Sequence, residues 1–156
     1  MHTLRVYASK RNEVYQFAMD SRINDKVKMQ QLIDFQGCTL GEGIYPTDID
    51  AIIEYRNSEY IIIESKFRDS PIPKGQRIAL MRMVDDFTTA GKKAVLLVVT
   101  HHVKDPNEVI DLASCRVREI YYGCEKKWRK PERQITTHDA IELVHQFFNG
   151  NTQKSF

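Results

Sequence analysis

The hydrophobic positions in the first half of the chain predict helix followed by a hairpin. Residues 12–36 carry apolar side chains at helical spacing, and we expect one or two helices there, ending before Gly37. The run IDAIIEY (49–55) is separated by three polar residues (56–58) from the run EYIIIESKF (59–67). This arrangement predicts an antiparallel hairpin. Because the second run is isoleucine-rich on both faces, we expect it to be a central strand covered on both sides.

The following pattern predicts another helix and two strands. Residues 76–90 place apolar side chains at helical spacing, and Gly91 is a suitable helix stop. The continuous apolar run KAVLLVVTHH (93–102) predicts a buried strand. CRVREIYYGC (115–124) predicts a further strand, which we expect at a sheet edge.

A last helix is predicted near the end of the sequence. We expect it to begin at Thr137 or His138, with Thr136 or Thr137 as its cap. Helices interspersed with a hairpin and buried strands predict an α/β protein with a central mixed sheet flanked by helices.

The amino-acid composition restricts the classes of protein to which this chain can belong. The 156 residues are 42% hydrophobic, enough for one core, so we expect a single domain over residues 1–156. The net charge is only +2, so any affinity for nucleic acid must come from a local patch. Three cysteines without C-x-x-C spacing favour a reduced, cytoplasmic protein. The apolar runs are too short for a membrane span, and the first residues lack a signal-like apolar region.

Candidate chemistry is concentrated in the hairpin, TDIDAIIEYRNSEYIIIESK. With a three-residue turn, counting outward puts Asp50 opposite Glu64 and Asp48 opposite Lys66, all on one face. A two-residue turn would send Asp50 and Glu64 to opposite faces unless a bulge restored the register. Two carboxylates on neighbouring strands can hold a hard divalent cation, which activates water for phosphodiester hydrolysis.

The alternative for these charges is a solvated strand end. Against it, Glu64 and Lys66 follow three isoleucines, where an unpaired buried charge would be costly. Gln76 precedes Leu80 by four residues, so it shares the core-facing side of the predicted helix and needs polar partners. Its alternative is a helix-start glutamine that faces solvent.

An acidic residue on a hairpin, a hydrophobic strand ending in E-x-K and a helix with an early glutamine resemble the PD-(D/E)xK nuclease superfamily. The likeness is to its RecB-like and phage exonuclease-like branches and covers about residues 45–100. It implies a restriction-endonuclease-like core.

The resemblance also implies roles for individual residues. Asp50 and Glu64 would be ligands of Mg²⁺ or Mn²⁺, and the main-chain carbonyl of Ser65 would complete the coordination. Lys66 would orient the nucleophilic water and stabilise developing charge. Gln76 would support the site from the helix.

Two features depart from the superfamily pattern. The "PD" element is written here as Pro46-Thr47-Asp48-Ile49-Asp50, which leaves Asp48 as an alternative ligand to Asp50, although the register favours Asp50. The superfamily often carries a glutamate on its first helix, and Glu13 is the candidate for it.

A second candidate site is the basic segment EKKWRKPER. It groups cationic side chains around the only tryptophan, Trp128, and such a patch can bind backbone phosphates and stack on an unpaired base. The alternative is a solvated loop whose tryptophan packs back on the core. The candidate nucleic-acid contacts are Lys126, Lys127, Trp128, Arg129 and Lys130.

These features predict a metal-dependent nuclease, with DNA favoured over RNA. The first alternative is a nucleic-acid-binding or regulatory module that keeps the fold without cleavage. A further alternative is a homo-oligomer or a subunit that supplies this site to a larger DNA-processing complex, such as a phage recombination or restriction assembly.

Overall fold

The computed structural model describes residues 35, 37–39 and 44–150. The chain divides into two compact units, Met1–Pro46 and Thr47–Phe156. The helices predicted within residues 12–36 lie outside the described residues, apart from Phe35, and so does Glu13. The second unit carries the hairpin.

The second unit is built on one mixed sheet. The strands lie in the order β1-β2-β3-β4-β5, where only β2 and β3 pair in parallel. The predicted α/β class and mixed sheet are confirmed. The strands are β1 (Ala51–Tyr55), β2 (Glu59–Phe67), β3 (Lys93–His101), β4 (Arg116–Tyr122) and β5 (Lys127–Arg129), and the helices are α1 (Lys74–Thr89), α2 (Thr137–Phe148) and a 3₁₀ turn (Leu112–Ser114).

The β1–β2 hairpin has the predicted register. Tyr55 pairs with Glu59 across a three-residue turn, and Ala51 pairs with Ile63 at the far end. Arg56 and Asn57 adopt positive φ angles of 51° and 55°, a conformation that asparagine tolerates better than most residues. The sequence pattern therefore identified the correct turn length.

β2 and β3 are covered on both faces, which explains their continuous apolar sequence. One face of the sheet packs against α2 and the other against α1, as the prediction of a central second strand requires. The α2 face includes Ile61, Ile63, Val95, Leu97, Ala140 and Val144, and the α1 face includes Ile62, Leu96, Val98, Leu80 and Val84.

Residues at the helix ends determine where α1 and α2 begin and end. α1 begins directly after Pro73, and Gly91, with a φ of 78°, follows its end. α2 begins at Thr137 with Thr136 as its cap, and Thr136 and Asp139 form a reciprocal capping box. No helix in the described part of the chain is long and apolar enough to cross a membrane.

One strand prediction is wrong. β4 was expected at a sheet edge, but β5 pairs with it, so β4 lies inside the sheet. The three residues of β5 carry two charged side chains and no apolar alternation, which is why the sequence pattern did not reveal this strand.

Candidate active site

The candidate site begins where β2 leaves the core. Glu64 and Lys66 follow Ile62 at alternate positions, so both project toward the α1 face. Glu64 is only 1% exposed. The Lys66 Nζ lies 2.5 Å from Glu64 Oε1, so the buried carboxylate has a cationic partner.

Gln76 connects this ion pair to the start of the hairpin. It lies in the first turn of α1, is 9% exposed and accepts a hydrogen bond from Lys66 Nζ at 3.2 Å. Its Nε2 donates to the main-chain oxygen and to Oδ1 of Asp48, both at 3.3 Å. The inward placement predicted for Gln76 is therefore confirmed, and its amide joins Lys66 to Asp48.

Asp50 has a different set of contacts. Its Oδ2 accepts hydrogen bonds from the Ser65 backbone N–H at 2.6 Å and from the Ser65 hydroxyl at 2.8 Å. Asp50 directly precedes β1, whose first residue pairs with Ile63. The carboxylate thus binds β2 at the point where the β1 ladder ends.

The two aspartates therefore differ in their surroundings. Asp48 is in contact with Gln76, whereas Asp50 is held by Ser65. Both have exposed positions, and both act electrostatically on Glu64. Asp48 and Asp50 both remain candidate ligands.

The Glu64 carboxyl has a raised pKa. Burial is the largest cause, the hydrogen bond and charge of Lys66 oppose it, and the negative charges of Asp50 and Asp48 raise the pKa further. Ionised Glu64 is therefore held in the folded chain at an energetic cost, which a cation beside it would reduce.

The donor set can be tested for its fit to a metal ion. Glu64 Oε2 is buried and has no hydrogen-bond partner among the described residues, so it is an available hard donor. Within those same residues, no three histidine, cysteine, aspartate or glutamate side chains form a metal-binding group. Mg²⁺ commonly uses only one or two carboxylates, with water and substrate phosphate completing its shell. Glu64 with one of the two aspartates fits that requirement.

Ser65 contributes to the site in a way that the sequence did not reveal. Its backbone N–H and hydroxyl both bind Asp50. Ligation of a metal by its main-chain carbonyl stays a prediction.

Trp128 lies within β5, half-buried against the core on the α1 face. Its ring centroid is 5.2 Å from that of Tyr121, and the Arg77 guanidinium carbon lies 3.7 Å from the Trp128 centroid. This placement is the packing alternative considered for the tryptophan. Stacking of Trp128 on a base stays a prediction.

The cations around Trp128 are exposed: Lys126, Lys127, Arg129 and Lys130. Arg129 forms an ion pair with Glu125 within the same β4–β5 segment. Binding of nucleic acid by these side chains stays a prediction.

The ion pair between Arg77 and Glu119 was not predicted from the sequence. The two Arg77 Nη atoms donate to the two Glu119 carboxylate oxygens at 2.9 and 3.2 Å. Burial acts to raise the Glu119 pKa, but the hydrogen bonds and charges of Arg77 and Arg118 outweigh it and lower the pKa. The only available signal was a charged residue between apolar positions of β4.

Comparisons with known proteins add no relative: the chain matches no family model, no curated protein and no solved structure. The function is therefore inferred from the residues and their geometry.

Proposed function

We propose that this chain is a divalent-metal-dependent nuclease that hydrolyses phosphodiester bonds, with DNA as the favoured substrate. The observation that carries the proposal is the Glu64 carboxylate, which is 1% exposed and keeps Oε2 without a described hydrogen-bond partner beside Lys66. The resemblance of the hairpin and α1 to the PD-(D/E)xK superfamily supports the same reading.

The energetics of Glu64 favour a functional role over a structural one. A buried carboxylate is costly even when it is paired, and an apolar residue at this position would extend the core of β2. Carboxyl groups whose pKa is shifted by burial and by specific charged neighbours are enriched at functional sites because the chemistry requires the charge. The raised pKa of Glu64 supports that interpretation.

The proposed metal ligands are Glu64 and Asp50, with Asp48 as an additional acid. When bound there, Mg²⁺ or Mn²⁺ would lower the pKa of water and polarise the phosphoryl oxygen. Lys66 would orient the attacking water and offset negative charge that develops on the phosphate. Gln76 would hold Lys66 in position, because its amide oxygen accepts from the Lys66 ammonium.

A second candidate function is a nucleic-acid-binding or regulatory module without cleavage. The specific observation in its favour is that Lys66 already neutralises Glu64 through Oε1, so the ion pair can persist without a cation. That module would bind nucleic acid independently of metal, and the binding would weaken with salt.

The cellular setting belongs to the same proposal. Cys38, Cys115 and Cys124 are all free thiols, which supports a reducing, cytoplasmic location. A homo-oligomer or a larger DNA-processing complex would be visible as a change in gel-filtration volume on addition of DNA.

Cleavage of DNA by the full chain tests the proposal. Single-stranded, duplex and branched DNA are incubated with the protein and Mn²⁺, using E64Q and K66A as test variants. E108Q is the matched control, since Glu108 is exposed and its side chain forms no hydrogen bond or ion pair with described residues. We expect cleavage by the wild type and E108Q alone. Failure of the wild type to cut any substrate, or full activity of E64Q, would refute the proposal.

A further inference from the structure

A strongly cationic pocket lies beyond the ends of β2 and β3. Its volume is about 430 Å³, comparable with that of small-ligand sites. Five positive side chains line it against two negative ones. The cations are Arg68, Arg116, Arg118, Lys130 and Arg133, and the acids are Asp69 and Glu132.

Most of these cations form no close ion pair with a described carboxylate, although Arg133 interacts electrostatically with Asp139. Among the described residues, Arg116, Lys130 and Arg133 form no ion pair with a carboxylate. Their side chains are exposed at the pocket. Like charges gathered in one concave site repel each other and raise the local concentration of anions.

A β-bulge in β4 determines the position of Arg118. Val98 pairs with Glu119 and Val99 with Val117, so Arg118 is the extra residue of a β-bulge. Its guanidinium donates to the Ser70 carbonyl at 2.9 Å, after β2, and also contacts Glu119. The bulge thus places a fixed arginine at the rim of the pocket.

Strand pairing connects the pocket with the candidate active site. Lys66 pairs with Thr100, and Thr100 pairs with Arg116, so the three residues form one row across β2, β3 and β4. Adjacent strands are about 4.8 Å apart, which puts the Lys66 and Arg116 backbones roughly 10 Å from each other. Thr100 and Arg116 both line the pocket.

We propose that this pocket binds backbone phosphates of a nucleic-acid strand whose scissile bond lies at Glu64 and Lys66, an inference that rests on the proposed nuclease function. Arginine suits this ligand because its planar guanidinium can donate two parallel hydrogen bonds to phosphate. The pocket, more than Lys126, Lys127 and Arg129 around Trp128, is then the main electrostatic contact with substrate.

Binding without cleavage tests the assignment. The affinity of the full chain for a fluorescently labelled single-stranded oligonucleotide is measured in EDTA, over a series of salt concentrations. The test variant is R116A/R133A. The matched control R56A/R82A removes two arginines from the β1–β2 turn and from an exposed position on α1. Thermal unfolding checks that each variant is folded, and R116K/R133K checks that charge is the cause.

We expect R116A/R133A to raise Kd by about 10-fold or more and to reduce the salt slope by roughly 1.4, the value for two lost contacts to a single strand. R56A/R82A should stay within about twofold of wild type. R116K/R133K should keep the wild-type salt slope, because the charges are retained, but recover only part of the affinity, because lysine cannot donate two parallel hydrogen bonds. The assignment is overturned if R116A/R133A binds like R56A/R82A, or if the wild type does not bind.

The nuclease function and the binding of phosphate by the cationic pocket can be contradicted independently of each other. Cleavage with Mn²⁺ is measured on the same preparations. Wild-type protein that binds through Arg116 and Arg133 but cuts no DNA would contradict the nuclease function and leave the phosphate pocket supported. At DNA concentrations well below Kd, cleavage that persists at the wild-type rate in R116A/R133A would overturn the pocket and leave the nuclease function intact.

Discussion

The Lys66 ammonium lies 2.5 Å from Oε1 of Glu64, a carboxylate whose side chain is 2% exposed at the end of the central strand. Oε2 of the same carboxylate has no hydrogen-bond partner in the described part of the chain. Lys66 therefore neutralises only one of the two oxygens of the buried Glu64 carboxylate. This end of β2 is less stable than it would be with an apolar residue at position 64.

E64Q should stabilise the metal-free protein at pH 8 by about 1 kcal/mol, since it removes the buried charge at a proposed functional site. Lys66 keeps Gln76 as a partner. The Glu64 pKa is raised in the folded state, so ionised Glu64 disfavours folding above that pKa, and the penalty disappears as pH falls through it toward 4.5. The advantage of E64Q should shrink over the same range, as measured by thermal unfolding in EDTA.

E108Q is the control for this stability measurement, because it makes the same chemical change on an exposed loop. It should change the free energy of unfolding by less than about 0.5 kcal/mol. A clear loss of stability in E64Q at pH 8 would show that the Glu64 ion pair is a net stabilising contact.

Q76A should lower kcat by about 10- to 100-fold, the usual effect of losing a residue that orients the groups at a metal site. KM should change little, because Gln76 contacts Lys66 and Asp48 and has no assigned contact with substrate. Steady-state kinetics with Mn²⁺ separates the two parameters. A rise in KM at unchanged kcat would assign Gln76 to substrate binding instead.

D50A should lower the free energy of unfolding by about 1 kcal/mol, because two hydrogen bonds from Ser65 to Asp50 are lost. D48A should lower the free energy of unfolding by less, since among the described residues the Asp48 side chain accepts one hydrogen bond, at 3.3 Å. Urea unfolding of D50A, S65A and the double variant measures the coupling. Additive losses from D50A and S65A would mean that the two side chains do not interact in solution.

E119Q should destabilise the protein near pH 7 by about 1 kcal/mol, because it weakens the paired hydrogen bonds from Arg77. The Glu119 pKa is lowered by folding, so the stabilisation is present above the unfolded value of about 4.5 and is lost as pH falls through the folded one. The free energies of unfolding of wild type and E119Q should therefore become equal at acidic pH. Fluorescence of Trp128, the only tryptophan, reports unfolding. If the free energies of unfolding of wild type and E119Q differed by the same amount at every pH, the stabilising role of ionised Glu119 would be contradicted.

The sequence predicted those parts of the fold that depend on local periodicity. The three polar residues of the turn determined the hairpin register, and the position of Gln76 four residues before Leu80 determined its inward placement. The apolar run of β3 and the Thr136 cap of α2 were also correct, since each is encoded by neighbouring residues.

Contacts between distant segments could not be predicted in the same way. The binding of Asp50 by Ser65 depends on where β1 begins, and the register alone left the direction of the carboxylate open. The cationic pocket depends on a bulge in β4 and on segments more than 40 residues apart, such as Ser70 and Arg118. Neither feature has a periodic signal in the sequence.

The most direct test of the account is the location of a divalent cation in crystals soaked in Mn²⁺. The account predicts a single anomalous peak bound to the Glu64 carboxylate and to Asp50 or Asp48, with Lys66 beside it. The same soak of E64Q crystals should lose the peak. An intact Lys66–Glu64 ion pair with no peak at Glu64, at Mn²⁺ concentrations that saturate ordinary carboxylate sites, would contradict the metal-dependent mechanism.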